Sequence, residues 1–280
     1  MSDFIPAHDV FEATGSATPP SRTALLCHGI LGNRNNWRTF ARALVQRRPE
    51  LRVITVDLRN HGDSTGAPPP HTLAACAADL RALERHLGLR AEVLIGHSFG
   101  GKVVLEAARA EAADGSPGPL TVFVLDATPT AGEPGREADL EVSGVMRCLR
   151  AVPQPLADRQ AVVAPLVAQG ISLTLARWMT TNLGRGPDGW RWRFDMDACE
   201  QMIGDYFTAD YMDFISTPRA DLQVHLLRAA RSDRWSPALI RALESLPAGA
   251  PAQLHLLPEA GHWVHADNPA GLLDFFDLEL

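Results

Sequence analysis

Six short apolar runs, separated by longer amphipathic stretches, constrain this chain more than any other feature. They are Leu25-Leu26-Cys27, Val53-Ile54-Thr55-Val56, Val93-Leu94-Ile95, Thr121 to Leu125, Val224 to Leu227 and Leu254 to Leu257. Each is about strand length and nearly continuous rather than alternating. A strand that is apolar at every position has both faces covered, which suits a parallel sheet between helical layers. The stretches between the runs have helical spacing. Thr72 to Leu87 sets Leu73, Cys76, Ala77, Leu80, Leu83 and Leu87 on one face. Trp37 to Arg48 and Phe99 to Ala113 behave alike. Ser236-Pro237 and Asn268-Pro269 each open a further helix with a capping side chain followed by proline. Strand and helix alternate, so the expected fold class is α/β, with a mostly parallel central sheet flanked by helices.

The alternation fails between about Thr130 and Ser216. This segment reads as helical, with no convincing buried strand, and holds Trp178, Trp190 and Trp192, half of the six tryptophans. The expected division is a core formed by residues 1–129 and 217–280, with 130–216 inserted as a helical cap.

Composition excludes several classes. Lys+Arg number 26 against 33 Asp+Glu, a net charge of −7, so the basic surplus of a nucleic-acid binder is absent. The four cysteines, Cys27, Cys76, Cys148 and Cys199, form no C-x-x-C pair, which argues against a zinc or redox motif. No metal or organic cofactor is expected. The first residues lack a basic segment followed by an apolar run, and no stretch is long and apolar enough to span a membrane. The expectation is a soluble, cytoplasmic protein.

Gly96-His97-Ser98-Phe99-Gly100 fits G-x-S-x-G. Alone the pattern is weak, but here it follows a strand run and precedes a helix. In that setting a strained turn lifts the serine hydroxyl above the sheet edge. A serine needs a base, and His262, in Ala260-Gly261-His262-Trp263, comes late enough in the chain to serve. His265, three residues on, is the rival; Gly261 favours His262 by freeing the loop to aim its ring. Two carboxylates compete to orient the imidazole. Asp233 follows the run ending near Leu227, and Asp126 follows the run ending at Leu125. Asp233 is preferred, with Asp126 as the alternative acid. The expected oxyanion donors are the N–H groups of Phe99, next to the serine, and Ile30, in His28-Gly29-Ile30-Leu31-Gly32. Asp57 to Ser64 makes a polar turn after another strand and is expected to be structural.

Together these segments make the chain resemble the α/β-hydrolase fold superfamily over nearly its whole length. Asp57-Leu58-Arg59-Asn60-His61-Gly62-Asp63-Ser64 and His262-Trp263-Val264-His265-Ala266-Asp267-Asn268-Pro269 resemble a branch of small serine carboxylesterases. The resemblance implies about seven or eight strands, with a helical cap after the sixth. The strands before Leu25 are expected to be short or missing. Some relatives take the triad acid from the sixth-strand position, which keeps Asp126 open. The implied reaction is hydrolysis of a small-molecule acyl ester through an acyl-enzyme. An acyltransferase, a C–C hydrolase or lyase, and a catalytically silent ligand-binding protein are the alternatives. Serine at the elbow argues against the dehalogenase and epoxide hydrolase relatives, which use aspartate there.

Overall fold

The computed structural model describes residues 3–16, 18–115, 118–132 and 137–280. The first half alternates as β1 (His8–Phe11), β2 (Arg22–Cys27), α1 (Arg38–Arg47), β3 (Leu51–Val56), α2 (Leu73–Leu87), β4 (Val93–His97), α3 (Phe99–Ala113) and β5 (Leu120–Leu125). The segment that follows contains α4 (Glu137–Arg150), α5 (Val163–Ala168), α6 (Leu173–Met179), a hairpin of β6 (Leu183–Gly186) and β7 (Gly189–Trp192), α7 (Met196–Thr208) and α8 (Met212–Ser216). The chain then completes the sheet with β8 (Leu222–Ala229), α9 (Pro237–Glu244), β9 (Ala252–Leu257), α10 (Val264–Asp267) and α11 (Pro269–Glu279).

Seven strands form one sheet in the order β1-β3-β2-β4-β5-β8-β9. Only β1 runs antiparallel, on the outer edge of β3. All six apolar runs are strands of this sheet. Their continuity has the expected cause. Leu25, Cys27, Ile54, Val56, Val122 and Val124 pack into one core layer. Leu26, Val53, Ile95, Phe123 and Leu125 point the other way, against Trp37, Phe40, Leu44 and Phe276 of the opposite layer. Helix α2 begins where the Thr72 side chain accepts from Ala75 N–H, and it stops at Gly88 in the left-handed conformation.

Three features go beyond the sequence reading. The strand before β2 is present but has four residues. The inserted segment is not purely helical, because β6 and β7 pair as a small sheet of their own. The two ends of that segment are also fastened together. Gly132 N–H donates to Phe207 O (2.7 Å), and Tyr211 N–H donates to Pro129 O (2.8 Å). Lys102, the chain's one lysine, is buried on α3 beneath them. Its Nζ donates to the carbonyls of Thr130, Tyr206 and Ala209 at 2.7–2.9 Å, so three carbonyls match the three ammonium donors. Among the described residues, no helix is long and apolar enough to cross a membrane.

Candidate active site

Strand order reverses between β3 and β4, which lie on either side of β2. Ligands in open α/β sheets bind beyond the carboxyl ends of strands at such a switch point. Ser98 sits there, between β4 and α3, with φ 52° and ψ −119°. This conformation is costly for a residue with a side chain, and the surrounding packing imposes it. A Cβ on Gly100 would stand 2.6 Å from His28 O and 2.7 Å from Cys27 O, and one on Gly96 would strike the Gly100 carbonyl. The two motif glycines are therefore required by close backbone approach. Ser98 N–H donates to Leu125 O at 2.9 Å, which pins the elbow to the next strand.

His262 reaches Ser98 from the loop after β9. Its Nε2 lies 3.0 Å from Ser98 Oγ. Its carbonyl accepts from His97 Nε2 at 2.7 Å, and Gly261 N–H donates to Asp267 Oδ2 at 2.8 Å. His97 is held well below the usual histidine range, first by burial and then by the neighbouring His262 and His265. It is thus a neutral ring that donates from Nε2. His265 instead packs on Trp37, with ring centroids 4.2 Å apart.

The carboxylate on the other side of His262 is Asp126. Its Oδ2 lies 2.8 Å from His262 Nδ1. The structure thus brings the alternative acid, Asp126, and not the preferred Asp233, within hydrogen-bond distance of His262 Nδ1. Asp126 directly follows β5 with φ 48°, its side chain fully buried. Its Oδ1 accepts from Trp235 Nε1 (2.8 Å) and Ala229 N–H (3.1 Å). Burial alone would raise its pKa. The hydrogen bond and charge of His262, with the Ala229 and Trp235 donors, outweigh that and hold it at about 2. The loop after β8 turns Trp235 inward onto Asp126 and leaves Asp233 exposed on the cavity wall.

The loop after β2 lies against the elbow. A Cβ on Gly29 would be 3.2 Å from both Ser98 Cβ and His97 Nδ1. Ile30 from this loop lines the cavity beside Ser98. Phe99 opens α3, where the first N–H groups have no partner within the helix. Two buried histidines brace the loop. Leu58 N–H donates to His28 Nε2 (3.0 Å), and Leu31 N–H donates to His61 Nε2 (3.1 Å). Their other ring nitrogens face Gly29 O and Arg59 O, so each is a neutral Nδ1–H tautomer. Burial pushes His28 down to about 4 and His61 to about 3. Within the same turn Asp57 accepts from the backbone N–H of Arg34 (2.6 Å) and Asp63 (2.8 Å). The Asp57–Ser64 segment thus supports the loop, as its residue mix suggested.

A cavity of about 380 Å³ opens above Ser98 and His262. Val142, Val145, Leu175, Trp178 and Met179 of the inserted segment cover it on one side. Trp263 closes another side, with its ring 4.5 Å from that of Trp178. Arg231, Asp233 and Arg234 form a polar wall, and Arg234 Nε stands 3.0 Å from His262 Nδ1. Neither this arginine nor the bracing pair His28 and His61 was singled out from the sequence. The His-Gly pair right after a strand was the available signal for His28. Among the described residues, the one group with metal-ligand potential is His225, His255 and Glu279, none of which lines the cavity.

The parallel sheet, the serine elbow at its switch point and the adjoining histidine define a hydrolase-type site, and the whole sequence agrees. Residues 24–275 match the alpha/beta hydrolase family, and the chain belongs to that family. It is 30% identical over 272 residues to mouse (Mus musculus) sn-1-specific diacylglycerol lipase ABHD11, covering 93% of this chain and 80% of that one. Escherichia coli (strain K12) esterase YbfF is 26% identical over 255 residues, 89% of each chain. Among solved structures, a marine microorganism esterase superposes with a TM-score of 0.81 at 21% identity, covering 99% of this chain and all of that one.

Proposed function

We propose that the protein is a serine carboxylesterase that cleaves small or medium acyl esters through an acyl-enzyme. The fold and family make it an ester-cleaving hydrolase. The finer reading rests on one observation, the hydrogen-bonded line from Ser98 Oγ through His262 to Asp126, at 3.0 and 2.8 Å, opening into an apolar cavity. In this reading Ser98 attacks the acyl carbonyl while His262 Nε2 takes its proton. Asp126 keeps the Nδ1–H tautomer and stabilises the imidazolium that forms. The N–H groups of Ile30 and Phe99 receive the oxyanion. His262 returns the proton to the leaving alcohol and then activates the water that releases the acid. Residues 130–216 act as the cap over the acyl group. The lipase and esterase names of the relatives support this chemistry.

The test is direct. A fluorophosphonate should label Ser98 in the purified protein, and Ser98→Ala should abolish hydrolysis of short p-nitrophenyl esters without unfolding the chain. Absence of the adduct, or near wild-type turnover by the variant, would defeat the assignment.

A further inference from the structure

The cavity wall beside His262 carries a cation that, among the described residues, meets no carboxylate. Arg234 is half-buried there. Elsewhere in the fold Arg34, Arg59, Arg90, Arg193 and Arg219 all meet carboxylates. Among the described residues Arg234 makes no such pair. Its side-chain hydrogen bond goes from Nε to His262 Nδ1 at 3.0 Å.

That nitrogen is a poor partner for a guanidinium. When Nδ1 carries a proton it donates to Asp126 Oδ2, 2.8 Å away, and has no lone pair left for Arg234. When Nδ1 lacks the proton it can accept from Arg234, but the neutral ring is then the Nε2–H tautomer. That tautomer points a proton at Ser98 Oγ and cannot take one from it. The Arg234 contact therefore competes with the arrangement that catalysis needs. Arg231 lines the same wall, with one terminal nitrogen on Glu259 O at 2.6 Å, and it too meets no carboxylate among the described residues. Asp233, between them in sequence, is the wall's acid. Two guanidinium groups against one carboxylate leave the wall positive.

Resting on the ester-hydrolase reading above, we propose that Arg234, with Arg231 beside it, forms a subsite for a carboxylate carried on the acyl part of the substrate. A planar guanidinium is suited to bind a carboxylate through two parallel hydrogen bonds. Binding there draws Arg234 off the imidazole. Nδ1–H is left to Asp126 alone, and Nε2 turns its lone pair to Ser98. The substrates of this chemistry are half-esters of dicarboxylic acids, with one acid group free and the other esterified. Arg234 is thus a specificity residue, and its engagement sets the tautomer of the base.

Methyl hydrogen glutarate and methyl pentanoate, followed by pH-stat, differ by the free carboxylate at similar chain length. The wild type should show the higher kcat/KM on the half-ester. Arg234→Gln should lower the ratio of the two kcat/KM values by at least about tenfold, mainly through KM of the half-ester. Arg234→Lys, which keeps the charge and loses the fork, should recover part of that ratio. Added salt should erode the wild-type preference. An unchanged ratio in Arg234→Gln, or a wild type that favours methyl pentanoate, overturns the subsite. Fluorophosphonate labelling of the same samples separates the two levels. A labelled Ser98 with an unchanged ratio removes the subsite alone. No label and no hydrolysis of either ester removes the ester-hydrolase reading and the subsite with it.

Discussion

Replacing Asp126 with asparagine should nearly silence the enzyme while leaving it folded, and the geometry says why. Oδ1 of Asp126 accepts two N–H donors, from Trp235 and Ala229. An asparagine keeps both bonds only if its carbonyl oxygen occupies that position. Its NH₂ group is then forced toward His262 Nδ1, where Oδ2 now lies at 2.8 Å. An amide donates to Nδ1, so the ring is driven to the Nε2–H tautomer and can no longer accept the proton of Ser98. The stabilising charge beside the imidazolium is lost as well. The expected fall in kcat is roughly 10⁴-fold, or about 5 kcal/mol of transition-state stabilisation. Asp233→Asn changes an exposed group and should stay within about threefold of wild type, as surface changes usually do. Initial rates on p-nitrophenyl butyrate, with circular dichroism as the folding control, measure both. The reasoning is refuted if Asp126→Asn keeps more than a tenth of the activity, or if Asp233→Asn falls as far.

Two further outcomes follow from the packing around the site. His28 and His61 have folded pKa values below the ordinary 6.5, at about 4 and about 3, so the unfolded chain takes up protons first as pH falls. Stability should be full above pH 6.5 and drop from there toward pH 4, by about 3 kcal/mol for His28 alone. The urea midpoint should fall steadily between pH 7 and 4.5, and a flat profile would contradict the neutral tautomers assigned to these rings. Trp178→Ala enlarges the apolar cavity and should shift the preferred p-nitrophenyl ester toward longer acyl chains. A loss of stability with no shift in chain-length preference would remove the segment carrying Trp178 from substrate selection.

Much of this protein was legible from local pattern. The inner strands announce themselves because both faces are covered, so that their runs are nearly continuously apolar; β9, on the sheet edge, is only partly buried yet keeps enough of the run to be read. The elbow is legible because Gly96, Ser98 and Gly100 fall within one strand-turn-helix unit, although the contacts that demand Gly100 come from Cys27 and His28 of the neighbouring strand and its loop. The strands of the small hairpin are not, since Leu183–Gly186 and Gly189–Trp192 are short, glycine-rich and half-exposed and show no apolar run. Lys102 stood out as the one lysine, but its partners Thr130, Tyr206 and Ala209 are carbonyls far along the chain, and no side-chain pattern marks them.

The sequence by itself determined the α/β layering, the serine at the switch point and a late histidine loop, because each depends on residues close together in the chain. Only the tertiary structure decided which acid meets that histidine. Asp126 and Asp233 both follow parallel strands at the same sheet edge, and local sequence cannot rank them. The ranking comes from the inward turn of Trp235 and the left-handed backbone at Asp126, which bury one carboxylate against His262 and leave the other on the cavity wall.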